Sequence, residues 1–197
     1  MFVIFLLLPA LIVLDRFGGK KLRRDYLPQD IRSRDTRKYH GKTFLVSNVV
    51  DGDTLDLDVK DGGVEYTRVR LLGIDTPETG GNFAMYYGTE ATEAATALAF
   101  EKEVVVLIDD IADVRDRYGR LLAYIVLPDG RVLNEELINN GFGYADLRFD
   151  HSDYDKYTAL QKEAIVAKRG LWEKVTAEQL PRWLQRERPG LLSLIHI

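Results

Sequence analysis

The sequence predicts a mainly β protein with some α-helix (α+β), in which five strands form a barrel and about three helices accompany it. Short apolar or alternating segments, separated by turn residues, dominate the first half of the chain and indicate strands. Longer segments with apolar residues at helical spacing follow them. The 197 residues, 46% of them hydrophobic, supply the core of one domain with little left over.

Turn residues divide the strand-like part of the sequence. The first two strands meet at Asp51-Gly52, and Asp61-Gly62-Gly63 forms a hairpin turn into the third. The predicted strands cover residues 43–50, 54–59, 64–74, 103–108 and 121–127.

Three helices are predicted between and after these strands. Residues 89–102 are alanine-rich and amphipathic, residues 133–140 end at Gly141, and residues 154–169 end at Gly170. Five strands with a helix between the third and the fourth, and helices at the end, suit a five-stranded OB-fold Greek-key barrel.

Composition excludes some chemistry and weakens one function class. The chain has no cysteine, so disulfides, thiolate metal sites and a cysteine nucleophile are excluded. Up to residue 40 there are nine Lys or Arg against four Asp or Glu, whereas the remainder has 18 against 27. An acidic domain argues against tight, non-specific nucleic-acid binding. A metal ion and arginines in one cleft would still allow it to bind a polyanion.

The ends of the chain differ from this domain. Residues 1–14 are apolar, and we expect a hydrophobic N-terminal anchor there. The run is shorter than the roughly 20 residues of a spanning helix, so one interpretation is the end of a longer, truncated anchor; a buried N-terminal segment is the alternative. We interpret residues 15–40 as a basic linker, 41–175 as the folded domain and 176–197 as a C-terminal tail, in which 191–197 resembles translated non-native sequence. The expected location is membrane-anchored or exported, in the cell envelope, with the side of the membrane left open.

Two acidic clusters stand where a β-rich segment meets a turn. They are Asp51-Gly52-Asp53-Thr54 and Asp75-Thr76-Pro77-Glu78. Crowded carboxylates repel one another unless a positive charge lies between them, and hard oxygen ligands favour Ca²⁺ or Mg²⁺ over zinc. A solvated acidic turn is the alternative interpretation of the first cluster.

Arginines accompany both clusters. Arg70 lies in an apolar strand just before the second cluster, and Arg120 precedes another apolar strand. An arginine beside a β core needs a carboxylate or a phosphate as its partner. Strict alternation would place Arg70 and Asp75 on opposite faces, so we expect a β-bulge at Gly73 that brings them together. Carboxylates, a metal ion and two guanidinium groups are what phosphodiester hydrolysis requires.

Three strings of residues occur in the order and rough spacing that is typical of the thermonuclease (staphylococcal nuclease-like) family. They are Val50-Asp51-Gly52-Asp53-Thr54, the nine residues from Arg70 to Glu78, and Asp116-Arg117-Tyr118-Gly119-Arg120. Each string is common by itself, whereas the three in this order resemble that family over about residues 43–173.

The resemblance implies a metal-dependent nuclease that acts on DNA, RNA or both, expected to be a monomer. A metal-activated water would attack the phosphate. The implied cofactor is Ca²⁺, with Mg²⁺ as the alternative. The implied site residues are Arg70, Glu78 and Arg120 for catalysis, Asp53, Asp75 and the carbonyl of Thr76 for the metal, and Arg117 and Tyr118 for substrate binding.

The sequence departs from the staphylococcal type in one stretch. Leu147 and Phe149 stand near the positions where that type carries tyrosines that stack on the base. We expect Tyr86 or Tyr87, in the loop of residues 79–87, to contact the substrate; packing against the following helix is the alternative.

Two other functions compete with the nuclease. The first is a catalytically inactive OB-fold module that binds single-stranded nucleic acid or a protein partner, for which some of the implied catalytic residues should be missing. The second is a structural metal site, which has no use for two arginines. Arg68 is expected to form a structural ion pair, and Trp172 is expected to lie in the core.

Overall fold

The computed structural model describes residues 29–80 and 84–187. These residues belong to two units, with the division after residue 38. Helix α1 (Gln29–Tyr39), which lies in the first unit except for its last residue, occupies part of the expected linker. The sequence did not predict this helix, because the charged stretch has no apolar stripe. Its arginine residues nevertheless favour helix. The anchor predicted for residues 1–14 lies outside the described residues. Among the described helices, none is long and apolar enough to cross a membrane.

The second unit is built on a closed barrel, which confirms the predicted OB-fold. The barrel strands are β1 (Lys42–Asp51), β2 (Thr54–Leu57), β3 (Thr67–Leu71), β5 (Glu103–Leu107) and β6 (Leu121–Val126). They run in the order β1, β2, β3, β6, β5, and β5 pairs back with β1. Among these neighbours only β3 and β6 are parallel, and the other pairs are antiparallel.

The third predicted strand, residues 64–74, is divided at Gly73. This glycine has a φ of 74°, a left-handed conformation that ends the strand and re-aims the chain. After it, β4 (Ile74–Asp75) pairs with β7 (Tyr144–Ala145) in a separate two-stranded sheet. Gly73 therefore departs from regular strand geometry as expected, but as a turn that ends β3 and not as the predicted bulge within a longer strand.

Helices connect some of the strands and follow the last of them along the chain. The three predicted helices are present, two of them shorter by three residues at the C-terminal end. They are α2 (Gly88–Ala99), α3 (Leu133–Asn139) and α4 (Tyr154–Val166), followed by 3₁₀ turns at Gly170–Glu173 and Ala177–Gln179 and by α5 (Arg182–Glu187).

Alternation along the barrel strands decides which side chains reach the site. Val69 and Leu71 of β3 are buried in the barrel core, so Arg70 between them points to the other side of the sheet. Thr54 of β2 is the direct neighbour of Arg70 across the ladder. This end of β2 and β3, with the turn at Gly73, therefore forms one rim.

A second apolar cluster lies beyond β7. It joins α4 and the following turns to α5, and Trp172 lies in it, as the sequence predicts. Its buried members are Tyr144, Ala164, Ile165, Leu171, Trp172, Val175, Leu180, Trp183 and Leu184. Residues 176–187, which the sequence set apart as a tail, thus contribute buried side chains to the domain.

Candidate active site

The turn between β1 and β2 brings the first acidic cluster against the second. Gly52 lies so close to Thr76 that a Cβ atom there would be 2.7 Å from the Thr76 hydroxyl oxygen. The turn is closed by Asp51, whose Oδ1 accepts a hydrogen bond of 3.1 Å from the backbone N–H of Asp53. A glycine between the two aspartates is therefore required by the close approach of the second cluster.

Asp53 is buried, and both of its carboxylate oxygens have partners. Its Oδ2 accepts hydrogen bonds from the backbone N–H (2.8 Å) and the hydroxyl (3.1 Å) of Thr76. Its Oδ1 accepts one from the hydroxyl of Thr54 (3.1 Å) and forms an ion pair with Arg70. Thr76 thus links the two clusters through its backbone and its side chain.

Arg70 joins the two clusters electrostatically. One arm of its guanidinium pairs with Asp53, and Nη2 donates to Asp75 Oδ1 at 2.7 Å and to the carbonyl of Ile74 at 3.2 Å. The turn at Gly73 makes this possible, because it lets Arg70 and Asp75 meet on the same side of the rim.

Asp75 is held at both carboxylate oxygens. Besides Arg70 on Oδ1, the indole N–H of Trp183 donates to Oδ2 at 2.8 Å, and Nη2 of Arg148 lies 3.4 Å from the same oxygen. Pairing of Asp75 with Tyr144 in the small sheet fixes its backbone.

Glu78 borders this group at the start of the loop that leads to α2. Its backbone carbonyl accepts a hydrogen bond from the N–H of Met85 (2.8 Å), and a Cβ at Gly88 would lie 2.4 Å from that carbonyl oxygen. Partial burial of the carboxyl group raises its pKa above 4.5, and the negative charges of Asp51 and Asp75 add to the rise. The side chain as a whole still has exposed surface, so Glu78 lies between the acidic cluster and solvent.

The pKa of Asp51 is raised as well, first by burial, against the lowering effect of the Arg70 and Arg120 charges. Four carboxyl groups, those of Asp51, Asp53, Asp75 and Glu78, lie close to Arg70. A group of oxygen donors that outnumbers its arginines suits a hard divalent cation.

The turn before β6 places the second arginine. Asp116 accepts hydrogen bonds from the backbone N–H of Arg120 (3.0 Å) and from its Nε (2.6 Å). This leaves the Nη1 end of Arg120 directed at the Thr54 hydroxyl, at 3.5 Å. Both arginines thus approach Thr54, which confirms that the third string comes to the same rim as the first two.

Arg117 and Tyr118 lie on the exposed part of that turn. Tyr118 is 68% exposed, and the guanidinium carbons of Arg117 and Arg120 lie 4.7 and 5.5 Å from the centroid of its ring. An exposed aromatic ring with two cations close to it is suited to contact a nucleotide.

No three side chains of His, Cys, Asp or Glu are arranged to hold a metal ion within residues 29–80 and 84–187. The predicted ligand set uses two carboxylates, Asp53 and Asp75, and the carbonyl of Thr76. It stays a prediction.

Other expectations have clear outcomes. Arg68 forms the expected ion pair, with two hydrogen bonds of 2.8 and 3.0 Å to Asp56. Tyr87 stacks on Phe142 at 5.9 Å, and Tyr86 packs with it against the second apolar cluster. Their predicted contact with substrate is untested, but both rings have packing partners away from α2.

Two residues of this site were missed in the sequence, Arg148 and Trp183. The only signal for Trp183 was local: it stands beside Leu184 in a short segment after Pro181, with Leu180 just before that proline. Nothing local indicated that the indole reaches Asp75.

The fold and the site together define a class: an OB-fold domain whose rim joins the buried Asp53 and the partly exposed Asp75 to arginines, which suits binding of a phosphate ester. Residues 68–174, more than half of the chain, match the family model described as Staphylococcal nuclease homologue. The chain belongs to this family.

Curated relatives agree with this assignment. The chain is 33% identical over 155 residues to an uncharacterized endonuclease of Escherichia coli O157:H7, covering 76% of this chain and 86% of the relative. It is 36% identical over 140 residues to the thermonuclease of Staphylococcus intermedius, with 68% and 78% covered. A micrococcal nuclease of Shigella flexneri is 30% identical over 146 residues, with 70% and 78% covered. These relatives are named as nucleases, which supports nuclease activity at the level of the family.

Proposed function

We propose that this protein is a metal-dependent nuclease that hydrolyses phosphodiester bonds of DNA, RNA or both at the rim formed by Asp53, Arg70, Asp75, Glu78 and Arg120. The observation that carries the proposal is the meeting of Arg70 with both acidic clusters, beside a second arginine that approaches the same threonine. A module that only binds nucleic acid has no need for several carboxylates gathered around its arginines, one of which, Asp53, is buried.

The metal ligands are proposed to be Asp53, Asp75 and the carbonyl of Thr76. The gathering of Asp51, Asp53, Asp75 and Glu78 around Arg70 supports a cation there, and all-oxygen donors favour Ca²⁺, with Mg²⁺ as the alternative. When bound, the cation polarises a phosphate oxygen and lowers the pKa of water.

The two arginines bind the phosphate. Arg120 is oriented by Asp116 so that its terminal nitrogens remain directed at the rim. Arg70 is the counter-ion of Asp53 and Asp75 in this structure, and it exchanges carboxylate for phosphate when substrate binds. Guanidinium groups in this position stabilise the charge that develops on the phosphate oxygens in the transition state.

Glu78 is proposed as the general base. It accepts a proton from the attacking water, whose oxygen bonds to phosphorus while the bond from phosphorus to the leaving oxygen breaks. The leaving oxygen, at the 5′ position, takes up a proton from solvent water, so the products are a 3′-phosphate and a 5′-hydroxyl. Arg117 and Tyr118 lie exposed beside Arg120 and are proposed to contact the neighbouring nucleotide.

A membrane-anchored or exported location remains part of the proposal. It is supported by the apolar run of residues 1–14 and the basic residues that follow. Fractionation of cells that express the full chain tests it: recovery in the cytosolic fraction alone would contradict this location.

Cleavage assays test the activity itself. Single-stranded DNA and RNA are incubated with the full chain and with Ca²⁺, Mg²⁺ or EDTA. Glu78→Gln is compared with Glu103→Gln, an exposed glutamate on β5. We expect cleavage that EDTA abolishes and that Glu78→Gln lowers about 100-fold or more, with Glu103→Gln unchanged. A folded protein that binds nucleic acid without cleaving it would instead support the OB-fold binding module.

A further inference from the structure

We propose that Trp183, on the C-terminal helix α5, is a positioning residue for Asp75 and thereby for the metal ion. This inference rests on the proposed metal-dependent function. It assigns a role in the site to residues 176–187, which lie beyond the part of the chain that matches the family model.

The contact is a specific one. The indole N–H of Trp183 donates to Asp75 Oδ2 at 2.8 Å, across 108 positions of sequence. Trp183 is only 7% exposed, so water competes little for the bond. A hydrogen bond from a neutral donor to a charged acceptor in such surroundings is strong and directional.

The bond fixes the rotation of the carboxylate. Arg70 donates to Oδ1 and Trp183 donates the shorter contact to Oδ2, at 2.8 Å against 3.4 Å for Arg148, so Arg70 and Trp183 are the main determinants of the plane of the Asp75 carboxylate. If Arg70 turns to a phosphate when substrate binds, the indole remains the neutral donor that keeps the carboxylate in place. Partners of this kind behind a metal ligand commonly change metal affinity by 10- to 100-fold when they are removed.

The indole is itself held on two sides. Leu180 and Leu184, both buried, anchor α5 in the second apolar cluster. On the other side, the guanidinium of Arg148 stacks over the Trp183 ring at 4.4 Å and is held by hydrogen bonds to Asp146. Packing alone would be satisfied by another large apolar side chain, whereas the bond to Asp75 requires a donor.

The chain contains its own matched control. Trp172, the other tryptophan, is buried in the same cluster, and its indole nitrogen has no hydrogen-bond partner among the described residues. Trp172→Phe therefore removes the same group of atoms as Trp183→Phe without removing a hydrogen bond.

The test is calorimetric titration of the full chain and both variants with Ca²⁺ and, in parallel, with Mg²⁺. We expect the metal Kd of Trp183→Phe to rise about ten-fold or more, while that of Trp172→Phe stays within two-fold. Equal Kd values in all three proteins, or equal increases in both variants, would overturn the proposal while leaving the nuclease function intact. A parent protein that binds neither metal and cleaves nothing would overturn both, and this failure appears before any substitution is made.

A second measurement does not depend on the folding of Trp183→Phe. In Trp172→Phe the indole N–H of Trp183 is the only one in the chain, and its NMR signal is followed during the same Ca²⁺ titration. We expect it to shift saturably with the calorimetric Kd. A signal that does not respond to a metal that binds would overturn the role of Trp183.

Discussion

Replacement of Gly73 by alanine tests the turn that brings Arg70 and Asp75 together. The residue has a φ of 74°, which costs a residue with a Cβ about 1–2 kcal/mol. The new Cβ would also lie 2.6 Å from Cε1 and Nε2 of His151. That ring cannot swing away freely, because it is buried and Nδ1 is hydrogen-bonded to the Tyr124 hydroxyl at 3.0 Å.

The cost of the left-handed backbone and the cost of crowding against His151 add in the free energy of unfolding. Crowding of a packed interior costs about 1–3 kcal/mol, so we expect Gly73→Ala to lower the free energy of unfolding by about 2–5 kcal/mol. Gly62→Ala is the control, since Gly62 has a φ of 60° but nothing lies within 4 Å of its added Cβ. It should cost only the backbone share, about 1–2 kcal/mol.

The assay is urea unfolding followed by tryptophan fluorescence, with the slope m compared between variants. Because the substitution displaces β4 relative to β3, cleavage by the folded Gly73→Ala protein should fall as well. Equal losses of stability in Gly73→Ala and Gly62→Ala would refute the steric part of the reasoning. Full activity in Gly73→Ala would refute the role of the turn.

Three further predictions concern groups around the site. Asn134→Leu should destabilise by about 3 kcal/mol in urea unfolding, because its side chain bonds Ile125 N–H and two backbone carbonyls in the core; a loss below about 1 kcal/mol would contradict this. Burial lowers the pKa of His151 below 6.5, so on acidification the imidazole takes up a proton in the unfolded state before it does so in the folded state. The free energy of unfolding should therefore decline as pH falls below 6.5, by at most about 1.4 kcal/mol per pH unit. His151→Phe should flatten that slope between pH 6.5 and 4.5, and an unchanged slope would rule His151 out as its source. Arg68→Met should lower stability by about 1 kcal/mol or more, since it leaves the buried Asp56 with the neutral Asn48 amide but without a cation, while cleavage stays within two-fold; a large loss of cleavage would place Arg68 in the site.

Local patterns predicted the barrel, and the resemblance of three strings to one family indicated the rim. Alternation set Arg70 and Asp75 on opposite faces, so a bulge at Gly73 was expected; the structure brings the two side chains together by a turn there. The aspartates and arginines were recognised because each is charged and adjoins an apolar strand. Such a residue has few explanations in a β core.

Helix ends were predicted less well, and the reason is conformational. The helices predicted for residues 89–102 and 154–169 end three residues early, at Ala99 and Val166. Glu101 and Lys168 adopt the left-handed conformation there, with φ of 57° and 51°. Sequence rules look for glycine at such ends, so these two residues gave no warning.

The contact between Trp183 and Asp75 could not be predicted from the sequence. Leu180, Trp183 and Leu184 are apolar residues close together in the sequence, but their spacing does not specify what they cover. The indole N–H reaches Asp75 because α5 packs in the same apolar cluster as Tyr144 and Trp172. That packing depends on the whole domain and not on the local sequence.

The most direct test of the central claim is the single-turnover rate of cleavage of single-stranded DNA by Arg120→Ala, beside the parent and Arg131→Ala. Arg131 is also an arginine paired with carboxylates, Asp129 and Glu136, but it lies beyond the opposite end of β6. The site described here predicts a loss of about 100-fold or more for Arg120→Ala and a parental rate for Arg131→Ala. Equal rates in all three proteins would contradict the assignment of hydrolysis to this rim.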